Sequence, residues 1–199
     1  MFSTHDQILG GGTNQVFVAS TFPALPEYRL EIQELARRAG AALADRGVVG
    51  LLSIDFVSCR VSGLWQHYAL ELNLRMGGGT TPFFHLHGLI EGAYRPETGE
   101  YVTPEGEPRC YLATDRLQRD EYRRFGPTDL IELGARHGLL YSHVSRTGMM
   151  FYMLGGTGDT GKVGIVAVHR TPEAARALYE AVIAALDSEI ANALGADDY

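Results

Sequence analysis

Apolar and polar residues alternate with period two along some stretches of this chain and recur near helical spacing along others, so strands and helices interleave. Gln15 to Thr21, β-branched and aromatic, predicts a strand that Pro23 and Pro26 end. Leu30, Ile32, Leu35, Ala39, Ala42 and Leu43 then mark a core-packing helix within Glu27 to Arg46, with Gly47 as its stop. Val48 to Cys59 and Trp65 to Arg75 read as two strands joined by a turn at Ser62 and Gly63, hence an antiparallel hairpin. Thr81 as N-cap and Pro82 at the first helical position open a helix that runs through Glu91 to a stop at Gly92.

In the second half, Pro96, Gly99, Pro104, Gly106 and Pro108 punctuate an insert that predicts a surface excursion or an interface. A short strand at Tyr111 to Thr114 and a helix at Pro127 to His137 follow. Met149 to Leu154 and Val163 to His169 form a second hairpin closed by a flexible glycine-rich loop. Thr171 and Pro172 cap a long last helix whose buried stripe is Ala175, Leu178, Val182, Leu186 and Ile190. The fold class is α+β, with a largely antiparallel sheet and flanking helices.

Composition narrows the function. With 45% hydrophobic residues in 199, the chain can bury a sizeable core. A formal charge of -7 and a single lysine, Lys162, argue against nucleic acid, whose phosphates are held by clustered Lys and Arg. The sequence has no apolar stretch long enough for a bilayer and no signal peptide at its start, so a soluble cytoplasmic protein is expected. Cys59 and Cys110 match no metal pair or disulfide framework and read as buried small residues.

The chemistry gathers on the hairpin. Along Trp65 to Met76, alternation puts Leu70, Leu72, Leu74 and Met76 on one face, into a core, and Glu71, Asn73 and Arg75 on the other, with His67 and Trp65 further out. Asp55 sits on the neighbouring strand among apolar residues and needs a partner. Were Asp55 to pair beside Glu71 and Asn73, two carboxylates and an amide oxygen would form the hard oxygen set that suits Mg²⁺. Arg75 extends the row with a planar donor fork for a phosphoryl oxygen. Gly77, Gly78 and Gly79 permit close backbone approach, and the helix after them offers free N–H groups to an anion. The plainer reading of the same row is a solvated strand face with cross-strand ion pairs.

An acidic residue on one strand and a Glu-x-Asn-x-Arg row on the next, here Asp55 with Glu71, Asn73 and Arg75, resembles the ATP-grasp superfamily. Ala69 to Phe83 looks most like peptide ligases of the pheganomycin type, as do His5-Asp6-Gln7 with Leu9 and Gly10, Phe22-Pro23-Ala24, and Tyr111 to Asp115. The resemblance implies a C-terminal ATP-grasp lobe at residues 1–92 and an α/β extension at 93–199 packed on it. It also implies ATP and Mg²⁺ as cofactors. A carboxylate would be activated to an acyl phosphate and attacked by an amine or peptide, with Arg75 stabilising the phosphoryl charge. ATP-grasp enzymes carry a lysine-bearing lobe before this segment, which this chain cannot supply with one lysine. The expected forms are therefore a C-terminal piece of such an enzyme or one subunit of a split enzyme whose partner chain supplies that lobe; self-association is compatible, and a non-catalytic remnant that binds metal or nucleotide or serves as a partner subunit is the alternative.

Other signals carry less. Gly156 to Lys162 has P-loop spacing, but Val163 stands where Ser or Thr would hold magnesium, and a strand follows where a P-loop needs a helix. His85 and His87, two apart on a helix, cannot share a metal. His85 and His67 are candidate substrate contacts. Phe83, Phe84, Leu86 and Ile90 read as core. Arg116, Arg119, Arg123 and Arg124 mix with Asp115, Asp120 and Glu121 as a solvated surface.

Overall fold

The run at 162–169 is too apolar for a strand with a wet face, and it forms β9 (Lys162–His169) with Val163, Ile165, Val166 and Val168 buried on both sides. The computed structural model describes residues 3–13 and 15–196. Strand β9 pairs with β7 (Pro108–Gln118) and β8 (Gly148–Tyr152), and β7 continues to β2 (Val16–Phe22) and β1 (Asp6–Gly10) in one antiparallel sheet of seven strands. Strands from both sides of residue 92 share this sheet.

Helices cover both of its faces. Leu130 and Leu133 of α3 (Pro127–Arg136) and Val182 and Leu186 of α5 (Pro172–Ala196) pack on Val163 and Ile165. Phe83, Leu86 and Ile90 pack on Phe22, Tyr111, Val166 and Val168 from the other side, the first two of them on α2 (Thr80–Leu89). Each such side chain, fully buried, contributes about 1.5–3 kcal/mol. The α+β class and the antiparallel sheet are as the sequence reads. Among the described residues, no helix is long and apolar enough to cross a membrane.

Several local expectations give way. The proline- and glycine-rich insert joins the sheet as β5 (Ala93–Arg95) and β6 (Glu100–Val102), and buried Tyr101 donates its hydroxyl hydrogen to the Ile90 carbonyl at 2.7 Å. Strands of three residues are too short to show a period, so the turns alone were visible. The glycine-rich loop folds into helical turns at Leu154–Gly156 and α4 (Thr157–Thr160), held by a bond from the Gly161 N–H to the Thr157 carbonyl at 2.7 Å. Phe84 lies exposed, and α2 starts at Thr80, so Pro82 is its third residue, where a missing N–H costs no helical bond. Cys110 is buried and Cys59 half-buried, both free.

A separate two-stranded sheet stands beside this body: β3 (Ser53–Val61) and β4 (Leu64–Asn73), joined by Ser62 and Gly63 at φ 52° and 84°. Two consecutive positive φ values match the twist of a tight hairpin, which is why glycine stands second. The helix α1 (Arg29–Ala44) covers part of one hairpin face, where Tyr28 and Ile32 meet Phe56 and Trp65. It is not the core-packing helix expected: Ile32 is its one buried residue, because the hairpin is too small to cover the rest of its apolar stripe.

Candidate functional site

The hairpin register sets the site. Asp55 lies directly opposite Glu71, and Ser53 opposite Asn73, so both carboxylates and the amide share one face. Asp55 is half-buried and its carboxyl sits above its ordinary value, first because burial disfavours the charge and then because Glu71 repels it, with Arg75 opposing both. A carboxylate pair that resists double ionisation fits a divalent cation, which would remove the repulsion. Among the described residues, no group of three or more His, Cys, Asp or Glu side chains could hold a metal, so Asn73 and oxygens from outside the chain would have to complete the shell.

The register also breaks the alternation. Phe56 pairs with Ala69 rather than Leu70, so one extra residue is accommodated in β4 between Asp55 and Phe56 of β3. Before this bulge, Trp65 and His67 share the α1 face with Phe56 and Ser58; after it, Glu71 and Asn73 point the other way. His67 and Trp65 are therefore not on the carboxylate face, contrary to strict alternation. The His67 side chain is almost fully buried, its Nδ1 2.8 Å from Ser58 Oγ and its Nε2 3.2 Å from Glu31 Oε2.

The leucines are also corrected. Leu70, Leu72, Leu74 and Met76 are 66%, 44%, 56% and 55% exposed, not buried, because α1 reaches only the Phe56–Trp65 end of the hairpin. Arg75 is exposed and donates from Nη1 to the Met76 carbonyl at 3.2 Å.

After Arg75 the triple glycine turns into α2. The Gly77 N–H donates to Thr80 Oγ1 at 2.9 Å and the Thr80 N–H returns a bond to the Gly77 carbonyl at 3.0 Å. A Cβ on Gly77 would lie 2.9 Å from Ser53 Oγ, and one on Gly79 3.3 Å from His5 Nδ1, while Gly78 has open space. The Gly78 and Gly79 N–H groups have no bond among the described residues, leaving two donors beside the N-terminus of α2. His85 donates from Nδ1 to the Thr81 carbonyl at 2.9 Å and lines a shallow apolar depression with Met76, Phe84 and Leu89. His87 faces elsewhere, 3.3 Å from the Tyr101 hydroxyl.

The support beneath this loop is a histidine that no motif in the sequence marks for chemistry. His5 Nε2 lies 2.6 Å from the Tyr111 hydroxyl, and its ring is packed among Phe22, Phe83 and Tyr111. Burial lowers its pKa to about 4, so it is neutral at pH 7. Both His5 and Tyr111 lie in stretches that carry the family resemblance, which was the available signal.

Residues 129–182 match the family described as the PGM1 C-terminal domain. The chain is 32% identical over 171 residues to the L-propargylglycine–L-glutamate ligase of Streptantibioticus cattleyicolor. That alignment takes in 86% of this chain and 34% of the ligase, so the chain spans about a third of its relative's length. The resemblance to ATP-grasp ligases of the pheganomycin type is borne out over most of the chain.

Proposed function

We propose, from its kinship with these ligases, that this chain is the metal- and phosphate-facing component of an enzyme that joins a carboxylate to an amine at the expense of ATP. The observation that carries this reading is the directly opposed Asp55–Glu71 pair, with Asn73 on the same face and Arg75 two residues on. In this reading Asp55, Glu71 and Asn73 hold Mg²⁺, which would neutralise charge on the phosphates of ATP. The Gly78 and Gly79 N–H groups meet phosphate oxygens, and Arg75 faces the phosphoryl group of an acyl phosphate with its bidentate fork. His85, beside the apolar depression, is a candidate contact for the substrate's side chain.

The adenine pocket and the lysine donors come from a second polypeptide segment in this proposal. Two features support it: the single lysine, and the exposed leucines on the metal hairpin, which a covering body would bury. The test is titration of the chain with Mg²⁺ or Mn²⁺ alone, followed by Asp55→Asn and Glu71→Gln. Each substitution should weaken binding at least tenfold, since each removes a ligand charge. Equal affinity in all three proteins would remove the metal site. In a complex reconstituted with a lysine-bearing lobe, Arg75→Lys should lower kcat about 100-fold, the order seen when one preorganised donor is lost.

A further inference from the structure

We propose that His5 is the positioning residue of the Gly77–Gly79 loop. The inference rests on the reading that this loop faces phosphate. His5 belongs to the segment leading into β1, far in sequence from the hairpin, yet its imidazole forms the floor under Gly79: a Cβ there would meet Nδ1 at 3.3 Å, Cε1 at 3.4 Å and Cγ at 3.6 Å. The ring cannot retreat. It is bonded through Nε2 to Tyr111 of β7 and packed against Phe22 and Phe83.

Besides the bonds that turn it into α2, the loop is thus braced at both ends by close contact. Gly77 rests on Ser53 of β3, two residues from Asp55, and Gly79 rests on His5, which is anchored to the large sheet. Glycine is the residue that permits both approaches. Between them Gly78 is open, and among the described residues its N–H has no partner. His5 thereby sets the distance between the carboxylate hairpin and the N-terminus of α2, the two bodies that must face one phosphate group together. The loop N–H donors can be preorganised only if that distance is held.

Two backbone bonds report the loop's position without any ligand: the Thr80 N–H to the Gly77 carbonyl, and the Phe83 N–H to the Gly79 carbonyl. Amide hydrogen exchange on the full chain should show His5→Ala lowering protection at Thr80 and Phe83 by about tenfold more than at Val166 in the core. A purely structural role would lower all three alike. His5→Gln, which can still bond Tyr111, should retain most of the protection. Gly79→Ala placed in the His5→Ala chain should restore it by filling the space, although Gly79→Ala alone presses on the ring and lowers it. Unchanged relative protection in His5→Ala, or failure of the double variant to recover, overturns the proposal.

The phosphate reading is tested separately in the same samples. Inorganic phosphate with Mg²⁺ should shift the Gly78 and Gly79 amide resonances in the wild type and in the double variant, and less in His5→Ala. If Thr80 and Phe83 follow His5 but phosphate shifts no amide in any protein, His5 positions the loop and the loop's assignment to phosphate is wrong.

Discussion

Asp55 of β3 and Glu71 of β4 face each other as a directly opposed cross-strand pair, and the residue after Asp55 already pairs out of step, with Ala69. Two like charges in that position are mutually destabilising, and burial of Asp55 adds to the cost. The pair is therefore held by the register of the whole hairpin rather than by attraction between its members. A register slip would relieve the repulsion, but it would turn Phe56 and Trp65 away from α1.

Neutralising one member should help the metal-free fold. A carboxyl raised above its unfolded value contributes stability below that value and loses it as pH rises through the folded one, so Asp55 works against folding at pH 7. Glu71→Gln should hold or raise the melting temperature without metal, and Mg²⁺ should raise the wild-type temperature more than the variant's. A large loss of stability in Glu71→Gln would mark the row as a structural ion-pair network.

The bulge can be removed. Inserting one residue between Asp55 and Phe56 would give Leu70 a partner and restore strict alternation, so the Trp65 end and the Glu71 end could no longer face opposite ways. Trp65 is the only tryptophan, which makes its fluorescence a clean reporter. The insertion should either expose Trp65, shifting its emission to the red, or abolish the response to Mg²⁺. Native emission together with native metal binding would mean that the extra residue has no part in setting the two faces.

Acid should weaken the fold through His5. Its folded pKa of about 4 lies below the ordinary 6.5, so between these values the unfolded chain takes up a proton that the folded one refuses. The stability contributed by neutral His5 is complete above pH 6.5 and falls as pH drops toward 4, with a slope of up to about 1.4 kcal/mol per pH unit. Urea unfolding at several pH values should show this slope flattened in His5→Gln. Parallel pH dependence in the two proteins would assign the acid sensitivity elsewhere.

The isolated chain should bind ATP weakly, because ligands for metal and phosphate do not make an adenine pocket. Calorimetry with Mg-ATP should give a Kd no tighter than about 1 mM, equivalent to roughly 4 kcal/mol. Micromolar affinity would show that no second lobe is needed.

Local rules settled much of this protein. Periodicity placed α3, α5 and the strands β2 and β9, and the Ser62–Gly63 pair fixed the hairpin turn and with it the Val61–Leu64 register. Residue types alone singled out Asp55, Glu71, Asn73 and Arg75. What lay beyond the sequence depended on partners distant along the chain. Alternation assumes one residue for one, and only cross-strand pairing could reveal that Leu70 is extra and that His67 turns toward Glu31. An apolar face is buried only if something covers it, and α1 covers too little of the hairpin to hide Leu70 to Met76. His5 reaches Gly79 and Tyr111 across more than seventy and one hundred residues, respectively. Contacts of that range are made by packing, which no local pattern encodes.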